Sequence, residues 1–259
     1  MTMATDLTGR VVVVTGASSG FGAALARQLS ALGARLVLAA RRMDRLEALR
    51  AELGRLPSDL RVYSVDVADA ASTAKFVKSA LADFGGIDVL INNAGLARGF
   101  SRFVDNDEQD WREMIEANVM GLMRVTRAFL PALLARGLGD IVHVGSVAGV
   151  QAYANGAAYC ASKAAVEAFA QALRLELAGT GIRQLVIEPG MAETEFSEVR
   201  FHGDRERAKK VYEGMMPLSA DDVAECIVFA LTRPAHVSLQ TLLLMPTAQA
   251  RVDVVSRRP

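Results

Sequence analysis

The feature that most constrains this chain is an alternation. Short runs rich in β-branched residues recur along it, each followed by a longer stretch with apolar residues at helical spacing. Residues 10–15 (RVVVVT), 35–40, 61–65, 87–91, 141–145, 182–188 and 239–245 read as strands. Residues 20–32, 44–53, 69–84, 107–135, 156–178 and 221–231 read as helices, and Pro131 is expected to break or kink the fourth. Strands apolar on both faces, alternating with helices, call for a parallel sheet covered on each side. The expected fold class is α/β: a single doubly wound domain over residues 1–259, with a seven-stranded parallel sheet flanked by helices. The acidic cluster 105–110 suits a helix N-terminus. The one long break is the charged region 191–217, which reads either as a lid over a site or as a surface insertion.

Composition narrows the function classes. With 259 residues, 51% of them hydrophobic, the chain can bury a large core without disulfides or metals. Equal numbers of basic and acidic residues, 29 of each, argue against a nucleic-acid partner. Cys160 and Cys226 form no CxxC, and three histidines make a His-rich metal site unexpected. The expected compartment is reducing and cytoplasmic. Residues 1–6 lack the basic and apolar regions of a leader. The uncharged stretch 141–162 contains His143, Gln151, Asn155 and several Gly and Ser, too polar for a membrane span.

Between the first strand and first helix lies Thr15-Gly16-Ala17-Ser18-Ser19-Gly20-Phe21-Gly22. Glycines let backbone amides approach a pyrophosphate, and the helix N-terminus adds a favourable dipole. A bare βα turn would look similar, but its place in the first βαβ unit favours a dinucleotide. At the end of the second strand such a site carries an acid when it reads a ribose 2′-hydroxyl. Here the chain has Arg41 and Arg42, which suit a 2′-phosphate, and the expected cofactor is NADP(H). Solvated loop arginines are the plainer alternative, set against cations being disfavoured before a helix N-terminus.

Tyr159 and Lys163, at i and i+4, share one face of the long helix. A free tyrosine titrates near pH ~10, and bringing it near neutrality takes about 4 kcal/mol of differential stabilisation. A neighbouring ammonium and a cationic nicotinamide would supply it. Ser146, at the end of the fifth strand, can hold a substrate oxygen beside Tyr159. On this reading the uncharged stretch leaves one Tyr and one Lys to dominate the local field.

These elements resemble the short-chain dehydrogenase/reductase family over essentially the whole chain. The resemblance rests on residues 15–22, Asp66-Val67, Asn92-Asn93-Ala94-Gly95, Asn118, Ser146, Tyr159-x-x-x-Lys163, and Pro189-Gly190 with Thr194. It implies a Rossmann-type fold and hydride transfer between nicotinamide and a carbonyl carbon, without a metal. It assigns Gly16, Ser18, Ser19, Gly20, Phe21 and Gly22 to the pyrophosphate. Asp66 and Val67 go to the adenine, and Asn93, Ala94 and Gly95 to the ribose side of the central strand. Tyr159 is the implied proton donor and acceptor. Lys163 binds the nicotinamide ribose and lowers the tyrosine pKa. Ser146 orients the substrate oxygen and Asn118 supports a relay water. Pro189, Gly190 and Thr194 cover the carboxamide. The family also implies a homo-oligomer, tetramer or dimer, joined through the helices near 107–135 and 156–178.

The segments 187–190, 194–197, 199–201 and 203–204, with 92–96, Tyr153, 234–237 and 245–246, resemble bacterial NADP-dependent 3-hydroxy acid dehydrogenases. Met191-Ala192-Glu193 and Arg98 depart from that branch. The branch is also similar to aldehyde reductases of specialised metabolism, of the clavulanic acid and sulfoacetaldehyde type. A non-catalytic NADP sensor is the other class in play, but such proteins typically lose the Tyr or Lys retained here. The expected substrate is a small molecule with an anionic group read by Arg98 or Arg200, beside Ser146 and Tyr153.

Overall fold

The structure is a computed structural model and describes residues 6–258. Residues 1–5, on which the expectation of no leader rests, lie outside the described range. Seven strands form one parallel sheet: β1 (Val11–Thr15), β2 (Arg35–Ala40), β3 (Leu60–Ser64), β4 (Val89–Asn92), β5 (Gly139–Val144), β6 (Ile182–Pro189) and β7 (Thr241–Leu244). Their order is β3-β2-β1-β4-β5-β6-β7. The chain reverses direction across the sheet between β1 and β4, which pair in parallel with Val13 beside Leu90. In a doubly wound sheet the crevice beyond the strand C-termini at this point is where ligands bind.

The alternating valines of β1 explain the two covered faces. Val12 and Val14 enter one apolar layer with Leu25, Leu29 and Ile227. Val11 and Val13 enter the opposite layer with Phe76, Phe129 and Leu173. The first layer is roofed by α1 (Gly20–Ala31), α2 (Met43–Leu53) and α10 (Ala220–Leu231), with α1 packed on α10. The second is roofed by α3 (Ala70–Phe84), α5 (Leu122–Arg136) and α7 (Ala157–Glu176). Each fully buried Leu, Ile or Phe contributes about 1.5–3 kcal/mol, so these layers hold the sheet between its helices. At the opposite, N-terminal edge, Asp140 accepts from Arg10 at 2.8 Å and Arg183 at 2.6 Å, tying β5 to β6 and to the start of β1.

The expected strands and helices appear within one to two residues of their bounds, with three differences. The helix expected over 107–135 is three pieces: α4 (Glu108–Ile115), a π-helical turn (Glu116–Gly121) and α5. Pro131 does not end it, and α5 runs on to Arg136 before Gly137 closes it in the left-handed region. The acidic cluster behaves as expected: Asp107 caps α4 by accepting from the Gln109 N–H at 2.8 Å. Residues 191–217 hold α8 (Phe196–Arg200) and α9 (Arg205–Lys210) over the C-terminal end of the sheet. Short α6 (Val147–Val150) and a hairpin of β8 (Gln249–Arg251) with β9 (Val254–Val255) carry no periodicity that a sequence reading could use.

Candidate active site

The site is built where β1, β4, β5 and β6 end. After β1, Gly16 has φ +67, and a Cβ there would meet the Ala94 Cα at 2.9 Å, so only glycine fits beside the β4 loop. At Gly22 a Cβ would lie 2.4 Å from the Gly16 carbonyl oxygen, so glycine lets the turn fold back on its own helix. Asn93 holds the two loops together, its amide donating to the Thr15 carbonyl at 2.9 Å and the Gly16 carbonyl at 3.1 Å. Ser19, at the N-cap of α1, makes no side-chain cap bond. The orphan N–H groups of that first turn therefore remain available beside the cleft, which suits a phosphate.

One cleft of about 1220 Å³ runs from this turn across the sheet. Its wall includes Gly16, Ser18, Ser19, Gly20, Phe21, Arg41, Arg42, Asp66, Val67, Asn93, Ala94, Gly95, Ser146, Tyr153, Tyr159, Lys163, Pro189, Gly190, Thr194, Arg98 and Arg200. Gly22 and Asn118 are the two expected site residues that stand behind the wall. Asp66 spends one carboxylate oxygen on the Ala68 N–H at 3.0 Å. Arg42 reaches across the turn, donating to Ser19 Oγ at 2.7 Å and Ser18 Oγ at 3.2 Å. Arg41 makes no hydrogen bond or ion pair among the described residues. The uncapped helix start, the glycine backbone and these guanidiniums fit the phosphates of a dinucleotide.

At the other end lies the reacting group. Tyr159 and Lys163 are each 7% exposed, one turn apart on α7. Lys163 Nζ stands 5.9 Å from the Tyr159 ring centroid and donates to the Val144 carbonyl at 2.8 Å. Burial pushes the ammonium down to about 8. Burial first, then the neighbouring Tyr153, push Tyr159 above its usual range; a hydrogen bond with Ser146 and the charge of Arg200 act the other way. The raised phenol keeps its proton at neutral pH, as a proton donor requires. Ser146 is oriented as the N-cap of α6, its Oγ accepting from the Ala148 N–H at 3.2 Å.

The π turn explains Asn118. It is 1% exposed, and its amide closes on the Leu96 backbone, accepting from the N–H at 2.8 Å and donating to the carbonyl at 2.8 Å. The same Nδ2 donates to Ser162 Oγ at 3.0 Å, so one side chain ties the β4 loop to α7. A π turn inside an α-helix commonly marks a functional site.

The field around Tyr159 is not left to Tyr and Lys alone. Arg200, from α8, lies with Cζ 5.4 Å from the Tyr159 ring centroid and 5.5 Å from that of Tyr153, and donates to the Tyr153 hydroxyl. It has no ion-pair partner among the described residues. Arg98 differs: it pairs with Glu113 at 2.8 Å and donates to the Val199 carbonyl at 2.7 Å. Of the two arginines expected to read an anion, only Arg200 keeps its charge uncompensated. Phe196 and Gln249 also line the cleft. Gln249 accepts from the Met191 N–H at 2.8 Å, and nothing in its local sequence marks it.

Such a site falls in the class of dinucleotide-dependent oxidoreductases, since one cleft joins an uncapped glycine turn flanked by guanidiniums to a buried Tyr–Lys pair. A family model described as short chain dehydrogenase matches residues 10–204. The chain belongs to the short-chain dehydrogenase family. It is 41% identical to the NADP-dependent 3-hydroxy acid dehydrogenase of Schizosaccharomyces pombe, covering 97% of this chain and 98% of that one. The Escherichia coli K12 protein of the same description, YdfG, is 41% identical over 93% of this chain and 96% of its own. Among solved structures, the closed form of serine dehydrogenase complexed with NADP+ superposes with a TM-score of 0.90 at 40% identity, covering 96% of this chain and all of that one.

Proposed function

We propose that the protein interconverts a small 3-hydroxy acid and its 3-oxo acid with NADP(H), in a reducing cytoplasmic compartment. The observation that carries the acid is Arg200, an uncompensated cation against the reacting tyrosine. A substrate whose carbinol oxygen meets Tyr159 and Ser146 can then place a carboxylate two carbons away on the guanidinium. The relatives described as 3-hydroxy acid dehydrogenases support the same substrate class.

A nicotinamide held in the cleft would supply or accept the hydride. The chain's own residues do the rest. Gly16 and Ser18 to Gly22 offer backbone donors to the pyrophosphate. Arg41 and Arg42 would read the 2′-phosphate, Asp66 and Val67 would hold the adenine, and Asn93, Ala94 and Gly95 would bind on the ribose side of the central strand. Lys163 would hold the second ribose, and Pro189, Gly190 and Thr194 would cover the carboxamide. Tyr159, held protonated by burial, gives its proton to the substrate oxygen in reduction and takes it back in oxidation. Ser146 fixes that oxygen, and Asn118 fixes the backbone on which a relay water would sit. Residues 191–217 act as the lid.

Exposed Ile115, Met120 and Leu134 on the 108–136 helices and Leu175 on α7 offer apolar area to a second copy, which supports a homo-oligomer.

The test is a panel of serine, 3-hydroxybutyrate, 3-hydroxypropionate and neutral aldehydes with the parent and Arg200→Met. Loss of about 100-fold in kcat/KM confined to the acids is expected, the scale of a lost charge-assisted pair. Equal losses on acids and aldehydes would remove the carboxylate role, and a preference for neutral aldehydes would favour the reductase reading.

A further inference from the structure

The lid reaches the far end of the cleft through one carboxylate. Glu195 accepts from Arg42 Nη1 at 2.8 Å with one oxygen and from Arg45 Nη1 with the other. Arg42 is the guanidinium that also spans Ser18 and Ser19, so Glu195 sits at the mouth of the proposed 2′-phosphate site. Its neighbours in sequence touch the cleft at two places. A Cβ added at Gly20 would stand 3.4 Å from Thr194, and the Phe196 ring centroid is 5.6 Å from that of Tyr159.

We propose that Glu195 is a specificity-determining counter-charge that competes with the cofactor 2′-phosphate for Arg42 and Arg45. This rests on the NADP reading above. A carboxylate and a phosphate present the same kind of acceptor to a guanidinium fork. A dianion arriving at arginines already held by Glu195 must share them with a like charge or displace it. Burial raises the Glu195 carboxyl, but the two arginines outweigh it and hold the group below the usual carboxylate range, so it is ionised at neutral pH. Coupling of this kind is reciprocal: by the factor that Glu195 weakens phosphate binding, the phosphate loosens Glu195 from its arginines. The phosphate thereby loosens Glu195 from Arg42 and Arg45, whereas NAD, which lacks it, leaves that clasp in place. Arg42 and Glu195 are 40% and 39% exposed, so solvent and salt keep the effect modest.

Titration calorimetry with NADP+, NAD+, 2′,5′-ADP and 5′-ADP on the parent, Glu195→Gln and Glu195→Asp tests this. Glu195→Gln is expected to tighten NADP+ and 2′,5′-ADP about 3- to 10-fold, to leave NAD+ and 5′-ADP within about 2-fold, and to lose its advantage as salt is raised. Glu195→Asp, which keeps the charge, stays near the parent. Weaker NADP+ binding in Glu195→Gln, or equal shifts for both cofactors, overturns the competition. An equal gain in Glu195→Asp assigns the effect to packing and overturns it too. A parent that binds 2′,5′-ADP no better than 5′-ADP defeats the NADP reading and the competition together. A parent that discriminates while Glu195→Gln changes nothing defeats only the role of Glu195.

Discussion

At the residue scale, the reacting tyrosine is a balance of opposed terms. Burial keeps Tyr159 protonated, while Ser146 and Arg200 pull towards the phenolate. Removing the hydroxyl should therefore remove proton transfer and little else. Tyr159→Phe is expected to lower kcat about 100- to 10,000-fold, with NADPH binding retained by fluorescence titration. Substantial residual turnover would place the proton elsewhere. The Tyr–Lys spacing, Ser146 and the arginines after β2 were all legible in the sequence, because they sit at fixed offsets from strand ends. The carboxylate partner of Arg98 was not, since Glu113 lies on another element and reaches it only in space. Replacing Arg41 and Arg42 together by Ala is expected to raise KM for NADPH at least about 10-fold while that for NADH moves little, because each charge-assisted contact to a phosphate is worth roughly 1.5–3 kcal/mol. Like responses to both cofactors would refute the phosphate assignment.

At the scale of elements, the π turn is the unexpected piece. Apolar spacing across 107–135 is compatible with an unbroken helix, and nothing in the sequence announces the extra residue at 116–121. Its position follows from packing: Asn118 must meet the buried Leu96 backbone and Ser162 together. Asn118→Ala would leave the Leu96 N–H and C=O without their partner. A loss of about 1–3 kcal/mol in urea unfolding is expected, with a fall in kcat as the β4 loop loosens. Unchanged stability would mean that water replaces the amide at no cost. Pro131 teaches the converse. A sequence reading expects proline to break or kink a helix, but here there is no break: α5 continues past it for another turn and packs through Phe129 and Leu133 on the core.

At the scale of the whole molecule, ionisable groups divide by edge. Where the strands begin, Asp140 is fixed between Arg10 and Arg183. Behind the site, Glu188 on β6 is 2% exposed and faces Glu167 of α7, one helical turn beyond Lys163. Burial first, then Glu167, raise the Glu188 carboxyl to about 7. Between its ordinary range near 4.5 and about 7 the folded chain holds a proton that the unfolded chain has lost. The group therefore stabilises the fold at low pH, and its contribution falls away as pH rises through that window. Glu188→Gln mimics the protonated acid. Relative to the parent it should gain on the order of 1–3 kcal/mol in urea unfolding on going from pH 5 to pH 8. A difference that does not change with pH would contradict the raised Glu188 carboxyl.

The sequence by itself determined the sheet, its helices and the line of residues along the cleft. Hydrophobic period and glycine placement are local properties, and a doubly wound sheet brings its strand ends to one edge whatever the loops do. Tertiary structure decided how the charges are shared. Zero net charge hides arginines of three kinds: Arg98 neutralised by Glu113, Arg42 clasped by a glutamate from the lid, and Arg200 set uncompensated against the tyrosine. Their partners lie 15 and 153 positions away, or are absent among the described residues, and pairing at such distances is fixed only when the chain has folded.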